Sequence, residues 1–88
     1  MYNFKVSDYL QEIMKKLYKK NRKLYERLLA KIQEVISSDS IEYYKNLRYN
    51  RKDSKRVLIG HFVLLFQYNS AGNEILFDDF NHHDNIYK

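Results

Sequence analysis

The stretch HFVLLFQY, residues 61–68, constrains the fold most, because five consecutive apolar residues, Phe62 to Phe66, sit in it without a polar break. Alternation would mark a strand with one wet face; a short unbroken run bounded by turn residues marks a strand covered on both. Such a strand must be central, so other strands flank it and another layer packs on them. Gly60 precedes the run and YNSAGNE, residues 68–74, follows it, a glycine-containing connection suited to a hairpin. RVLIG before the run and EILFDDF after it then read as neighbouring strands in an antiparallel meander.

The first half of the chain supplies the covering layer. YNFKV alternates Tyr2, Phe4 and Val6 on one side, as a half-buried strand does. Ser7 or Asp8 is placed to cap a helix whose Leu10, Ile13, Met14, Leu17 and Tyr18 form one apolar stripe. Asn21 interrupts the pattern at a cap position, and Leu28, Leu29, Ile32, Val35 and Ile36 repeat the period in a second helix. SSDS at 37–40 ends that helix, and IEYYKNLRYNRKDSK, without a clean period, leads irregularly into the strands. The expected fold is α+β: a strand, a two-helix hairpin, then a three-stranded antiparallel meander, with one sheet face on the helices and the other open. With 88 residues, no proline, two glycines and no linker or repeat, residues 1–88 form a single domain.

Absent cysteines rule out disulfides and thiolate metal sites and fit a reducing cytoplasm. No apolar run approaches a membrane span, and MYNFKVSD lacks a signal peptide pattern, so a cytoplasmic protein without membrane association is expected. Sixteen lysines and arginines against eleven acidic residues give a formal charge of +5. Such an excess suits a polyanionic partner, nucleic acid or an acidic protein, and equally suits well-solvated helix faces.

Two clusters carry chemistry. Lys45, Arg48, Arg51, Lys52, Lys55 and Arg56 crowd one window opposed only by Asp53, with Tyr43, Tyr44 and Tyr49 interleaved. Cations hold phosphates and tyrosines stack on unpaired bases; alternatively, the tyrosines anchor a solvated loop to the core. The second cluster is FDDFNHHDNIYK, residues 77–88. Metal binding needs imidazoles and carboxylates converging, whereas His82 and His83 point apart in an extended chain, so no metal is expected. Imidazole titrates near neutrality and exchanges protons without one. In an extended chain Asp79 and His83 also lie on one side, where a carboxylate would orient an imidazole.

The order of elements and four short patterns resemble the RelE/ParE toxin superfamily, and within it the archaeal RelE-like toxins. Lys45 and Leu47 match its turn, Arg56, Ile59 and Gly60 its arginine-bearing strand, Phe62, Leu64, Leu65 and Phe66 its aromatic strand, and His82, Ile86 and Tyr87 its ending. The resemblance spans the whole chain in architecture and its second half in motif. It implies the toxin of a type II toxin–antitoxin pair: a ribonuclease that cuts messenger RNA in the ribosomal A site by 2′-hydroxyl attack, without a cofactor, and is held by an acidic RelB-like antitoxin. By the same resemblance Arg56, helped by Arg48 or Lys52, stabilises the phosphate. His82 and His83 move protons, Tyr87 positions or stacks a base, and Lys45, Arg51 and Lys55 complete the RNA contact. The chain departs from the family at Val63 and Leu58, where cations are expected, and at His83, which replaces an arginine. The missing cations favour a second reading, a ParE-like toxin that binds DNA gyrase without cutting RNA; a basic RNA-binding module that is no toxin is a third.

Overall fold

The computed structural model describes residues 2–41, 44 and 54–86. Seven elements follow in chain order: β1 (Asn3–Val6), α1 (Asp8–Lys20), α2 (Arg22–Ile36), β2 (Ser54–Ile59), β3 (Phe62–Asn69), β4 (Glu74–His82) and a one-turn helix α3 (His83–Ile86). The strands form one mixed sheet in the order β1-β4-β3-β2. β2, β3 and β4 make the antiparallel meander expected from the apolar run, and β1 crosses to pair parallel with β4, Val6 opposite Phe77.

Both long helices start where the sequence supplies a cap. The Ser7 hydroxyl accepts the Leu10 N–H at 3.0 Å and donates to the Asp78 carbonyl at 2.7 Å, so one side chain starts α1 and ties it to β4. Asn21 closes one helix and opens the next: its N–H donates to the Leu17 carbonyl and its side chain accepts the Leu24 N–H at 3.1 Å. Asn21→Ala is expected to lower the unfolding free energy by about 1 kcal/mol, read as a shift of the urea midpoint at constant slope.

One cluster fills the space between helices and sheet. Leu10, Leu24, Leu28, Ile32, Val35 and Ile36 meet Ile59, Leu64, Phe66, Ile75, Phe77 and Phe80. Two stripe residues fall outside it. Leu29 is 40% exposed because Leu24, four residues before Leu28, lies on the buried line instead. Tyr18 stays on the solvent flank, its ring edge-on to Tyr25 at 5.3 Å with the Arg22 guanidinium 3.7 Å above it. Phe4, expected on the half-buried side of β1, is 45% exposed, and Asn3 to Lys5 are all exposed, since β1 lies at the sheet edge.

The sheet face away from the helices is not bare at its centre. Val63 and Leu65 point there, yet they are 0% and 4% exposed, so β3 is buried on both faces as its unbroken apolar run demands. The connections are tighter than expected. β2 and β3 join through Gly60 and His61, with Gly60 at φ 60°, and β3 and β4 pair out to Asn69 opposite Glu74, with Asn73 at φ 50°. Among the described residues no helix is long and apolar enough to cross a membrane.

Candidate functional site

Strand register decides which candidate side chains can meet. In the antiparallel pairs, opposed residues share a face, so Arg56, Leu65 and Asp79 form one row, and Leu58, Val63 and Asn81 the next. Both rows lie on the face away from the helices, because the intervening row of Val57, Leu64 and Phe80 packs toward the helical core. Arg56 therefore belongs to the helix-free face. Lys55, its neighbour, belongs to the other: it pairs with Phe66, and its ammonium donates to the Tyr44 carbonyl at 3.2 Å. The two basic residues expected to hold the same phosphate backbone emerge on opposite sides of β2.

A bulge in β4 rearranges the second cluster. Leu65 pairs with Asp79 but Phe66 pairs with Phe77, so Asp78 is an extra residue and the alternation of β4 reverses there. Phe77 and Phe80, three apart, both reach the core. His82 consequently falls in the row of Ile59 and Phe62, on the helix side, across the sheet from Arg56. Its ring meets Phe62 edge-on at 5.5 Å and lies nearly parallel to His61 at 6.1 Å between centroids.

The strand stops at His82, and His83 opens α3, so the extended geometry that would place His83 beside Asp79 ends one residue too early. Asn81 organises the junction: its side-chain oxygen accepts the His82 N–H at 2.8 Å and the Asn85 amide at 2.9 Å. The His82 Nδ1 accepts the Asp84 N–H at 3.2 Å. The Asp84 carboxylate lies 3.7 Å from His82 Nδ1 and 3.8 Å from His83 Nδ1. The two side chains keep 42% and 52% of their surface open, so both imidazoles are within reach of solvent and a ligand.

Lys45, Arg48, Arg51, Lys52 and Tyr87 lie outside the described residues, as do Tyr43 and Tyr49. Tyr44 is the interleaved tyrosine that is described, and it is an anchor: its ring packs edge-on to Phe66 at 5.5 Å. Burial pushes its phenol above the ordinary value; Glu34 adds to the rise and Lys31 opposes it. At the centre of the helix-free face, where the resemblance calls for cations, Val63 is buried and Leu58 is 50% exposed. Among the described residues no group of three or more His, Cys, Asp or Glu side chains is placed to hold a metal ion.

Sequence reasoning overlooked two residues at this end of the sheet. His61 looked like the start of a strand; the tight turn instead brings it against His82, and its carbonyl accepts the His83 N–H at 2.8 Å. Arg27 comes from α2 and rests its guanidinium over Gly60, 3.3 Å from where a side-chain carbon would stand. A histidine next to a turn glycine was a readable signal for the first. Nothing local links Arg27 to a glycine 33 positions away.

Comparison with known proteins agrees with this architecture. No family profile matches the chain. In solved structures, a chain of the intact Escherichia coli RelBE toxin–antitoxin complex superposes with a TM-score of 0.71 at 21% identity, covering 93% of this chain and 96% of that one. The isolated E. coli RelE toxin gives 0.67 at 18% over 93% and 84%, and the RelBE2 complex of Mycobacterium tuberculosis 0.62 at 18% over 92% and 96%. These likenesses concern the fold. In sequence, the chain is 39% identical to an uncharacterized protein of Methanosarcina mazei, covering 99% of this chain and all of that one. It is likewise 39% identical, over 89 aligned positions that cover all of this chain and 93% of the relative, to a Methanocaldococcus jannaschii protein named "Putative toxin RelE4". With that identity over its full length, the chain belongs to the RelE toxin family.

Proposed function

We propose that this toxin is a metal-independent endoribonuclease that cuts messenger RNA in the ribosomal A site, in the cytoplasm, and is restrained by an acidic RelB-like antitoxin. The observation that supports this most is the placement of Arg56 on the helix-free face of the sheet, with β4 running from Asp79 in the same row to the solvent-accessible His83 at its end. Cleavage removes the proton of a 2′-hydroxyl, the oxygen attacks the adjacent phosphorus, and the bond to the 5′-oxygen breaks as that oxygen gains a proton. The products are a 2′,3′-cyclic phosphate and a 5′-hydroxyl. Arg56 opposes the charge that grows on the phosphate, which is where a fixed cation contributes most. His83 exchanges the protons. His82, turned to the other face, acts by holding the junction. Tyr87, Lys45, Arg48, Arg51 and Lys52 position RNA, while Lys55 steadies Tyr44.

Antitoxin binding draws support from the charge of +5 and from the toxin–antitoxin complexes among the fold's relatives. A second reading, a ParE-like toxin that inhibits DNA gyrase by binding, draws support from the apolar pair Leu58 and Val63 on the helix-free face. Ribosomes carrying a defined message, analysed by primer extension, separate the two. The ribonuclease reading expects breaks within the A-site codon, and Arg56→Ala slowing single-turnover cutting by about 10² to 10³. Intact message, together with inhibited DNA supercoiling by gyrase, would favour the second.

A further inference from the structure

His61 takes no part in the chemistry just described, yet two of its contacts tie the β2–β3 turn to the β4–α3 junction. Its carbonyl accepts the N–H of His83 at 2.8 Å, satisfying a donor that the start of a helix leaves open. Its ring lies parallel to that of His82 at 6.1 Å, with an interplanar angle of 19°. The ring of Phe62 also meets His82 edge-on, and His82 offers Nδ1 to the Asp84 N–H at 3.2 Å. The turn thus contacts His82 and His83 directly, and His82 in its place holds the N–H of Asp84. A helix of four residues has too little internal bonding to hold itself in place, so α3 sits where these contacts put it.

We propose that His61 is a positioning residue for His83: its ring and carbonyl lock the β4–α3 junction and thereby set where the His83 imidazole stands. The role in RNA cleavage rests on the ribonuclease reading above; the locking itself does not. Gly60 at φ 60° aims the turn, a backbone conformation that a side chain would strain, and the Arg27 guanidinium packs over it. Among the described residues, the charged groups at this junction include the Asp84 carboxylate, near Nδ1 of both His82 and His83, and Arg27 at the turn. What the His61 side chain contributes is a flat face against His82. Phenylalanine would supply the same face with no ionisable nitrogen, which separates positioning from proton transfer by His61 itself.

The test compares the parent chain with His61→Ala and His61→Phe in two measurements. Amide exchange at His83 and Asp84, followed by NMR, reports the lock without any substrate; exchange at Leu64 and Phe66 checks that the core is intact. Ribosome-bound message cut at saturating and subsaturating toxin reports kcat and KM separately. His61→Ala is expected to speed exchange at His83 and Asp84 by about tenfold while core amides hold. It is expected to lower kcat by roughly tenfold to a hundredfold with KM within about twofold, since the loss lies in geometry at the reacting centre. His61→Phe is expected to restore both readouts to within about threefold of the parent. Unchanged exchange in His61→Ala overturns the proposal, and so does a kcat loss in His61→Phe as large as in His61→Ala. A parent chain that cuts no message overturns the ribonuclease reading by itself, and the exchange arm then decides the lock alone.

Discussion

Replacing His83 with alanine is expected to slow single-turnover cleavage of ribosome-bound message by about 10² to 10⁴, the range that a positioned proton donor or acceptor supplies. KM and the unfolding midpoint stay near those of the parent, because the side chain is half open to solvent and lies outside the hydrophobic core. His82→Ala behaves differently. That ring is on the helix side of the sheet, against Phe62 and His61, so its loss loosens the junction and costs less in kcat than His83→Ala does. The double change to alanine is expected to abolish measurable cleavage and to leave RNA binding intact. Equal losses from the two single changes would show that the bulge does not divide their roles, and a fully active His83→Ala would transfer the chemistry to Arg56 and Tyr87.

Phe66→Ala removes about 3 to 5 kcal/mol of folding stability. Phe66 is fully buried at the centre of the sheet, between the ring of Tyr44 at 5.5 Å and that of Phe77 at 5.7 Å, and it sits where the β4 bulge fixes the pairing. For a chain of 88 residues that loss is a large share of a total near the low end of the 5 to 15 kcal/mol range. The variant is expected to be mostly unfolded at 37 °C and to recover when the antitoxin is supplied, because binding the native state raises its apparent stability. Leu58→Ala, at a half-exposed position, is the control and shifts the urea midpoint little. A Phe66→Ala midpoint indistinguishable from that of Leu58→Ala would mean that the core is not organised around β3.

The elements themselves were readable because each rests on local chemistry. Ser7 and Asn21 announce helix starts through side chains that reach only three residues ahead, and FVLLF announces a central strand through its lack of polar faces. The pairing of β1 with β4 was not readable, since it joins Val6 to Phe77 and no local pattern sets a parallel partner 71 residues away. The candidate site was half legible for one reason. Counted by alternation from Phe77, His82 lands on the face of Arg56; one extra residue, Asp78, reverses the count and sends it to the other. The carbonyl of that same Asp78 receives the Ser7 hydroxyl, so a helix cap and a bulge hold each other. A bulge is a tertiary solution to placing both Phe77 and Phe80 in the core, and the three-residue spacing of the two phenylalanines was its only trace in the sequence. His61 and Arg27 were hidden by the same non-locality, for each acquires its neighbours only when hairpin and helices close.

The central claim is RNA cleavage by 2′-hydroxyl attack with protein side chains moving the protons, and the ends of the cut message test it most directly. Purified toxin is mixed with ribosomes holding a message with a defined A-site codon, quenched within one turnover, and the fragments are analysed by mass spectrometry. After the complexes form, one half of the sample receives EDTA chelated with enough magnesium to keep the ribosomes assembled while trace transition metals are removed. The expected fragments carry a 2′,3′-cyclic phosphate upstream and a 5′-hydroxyl downstream, at the same rate in both halves, and disappear with His83→Ala. Fragments ending in a 3′-hydroxyl and a 5′-phosphate, or cutting that stops under chelation and returns with zinc, would contradict it.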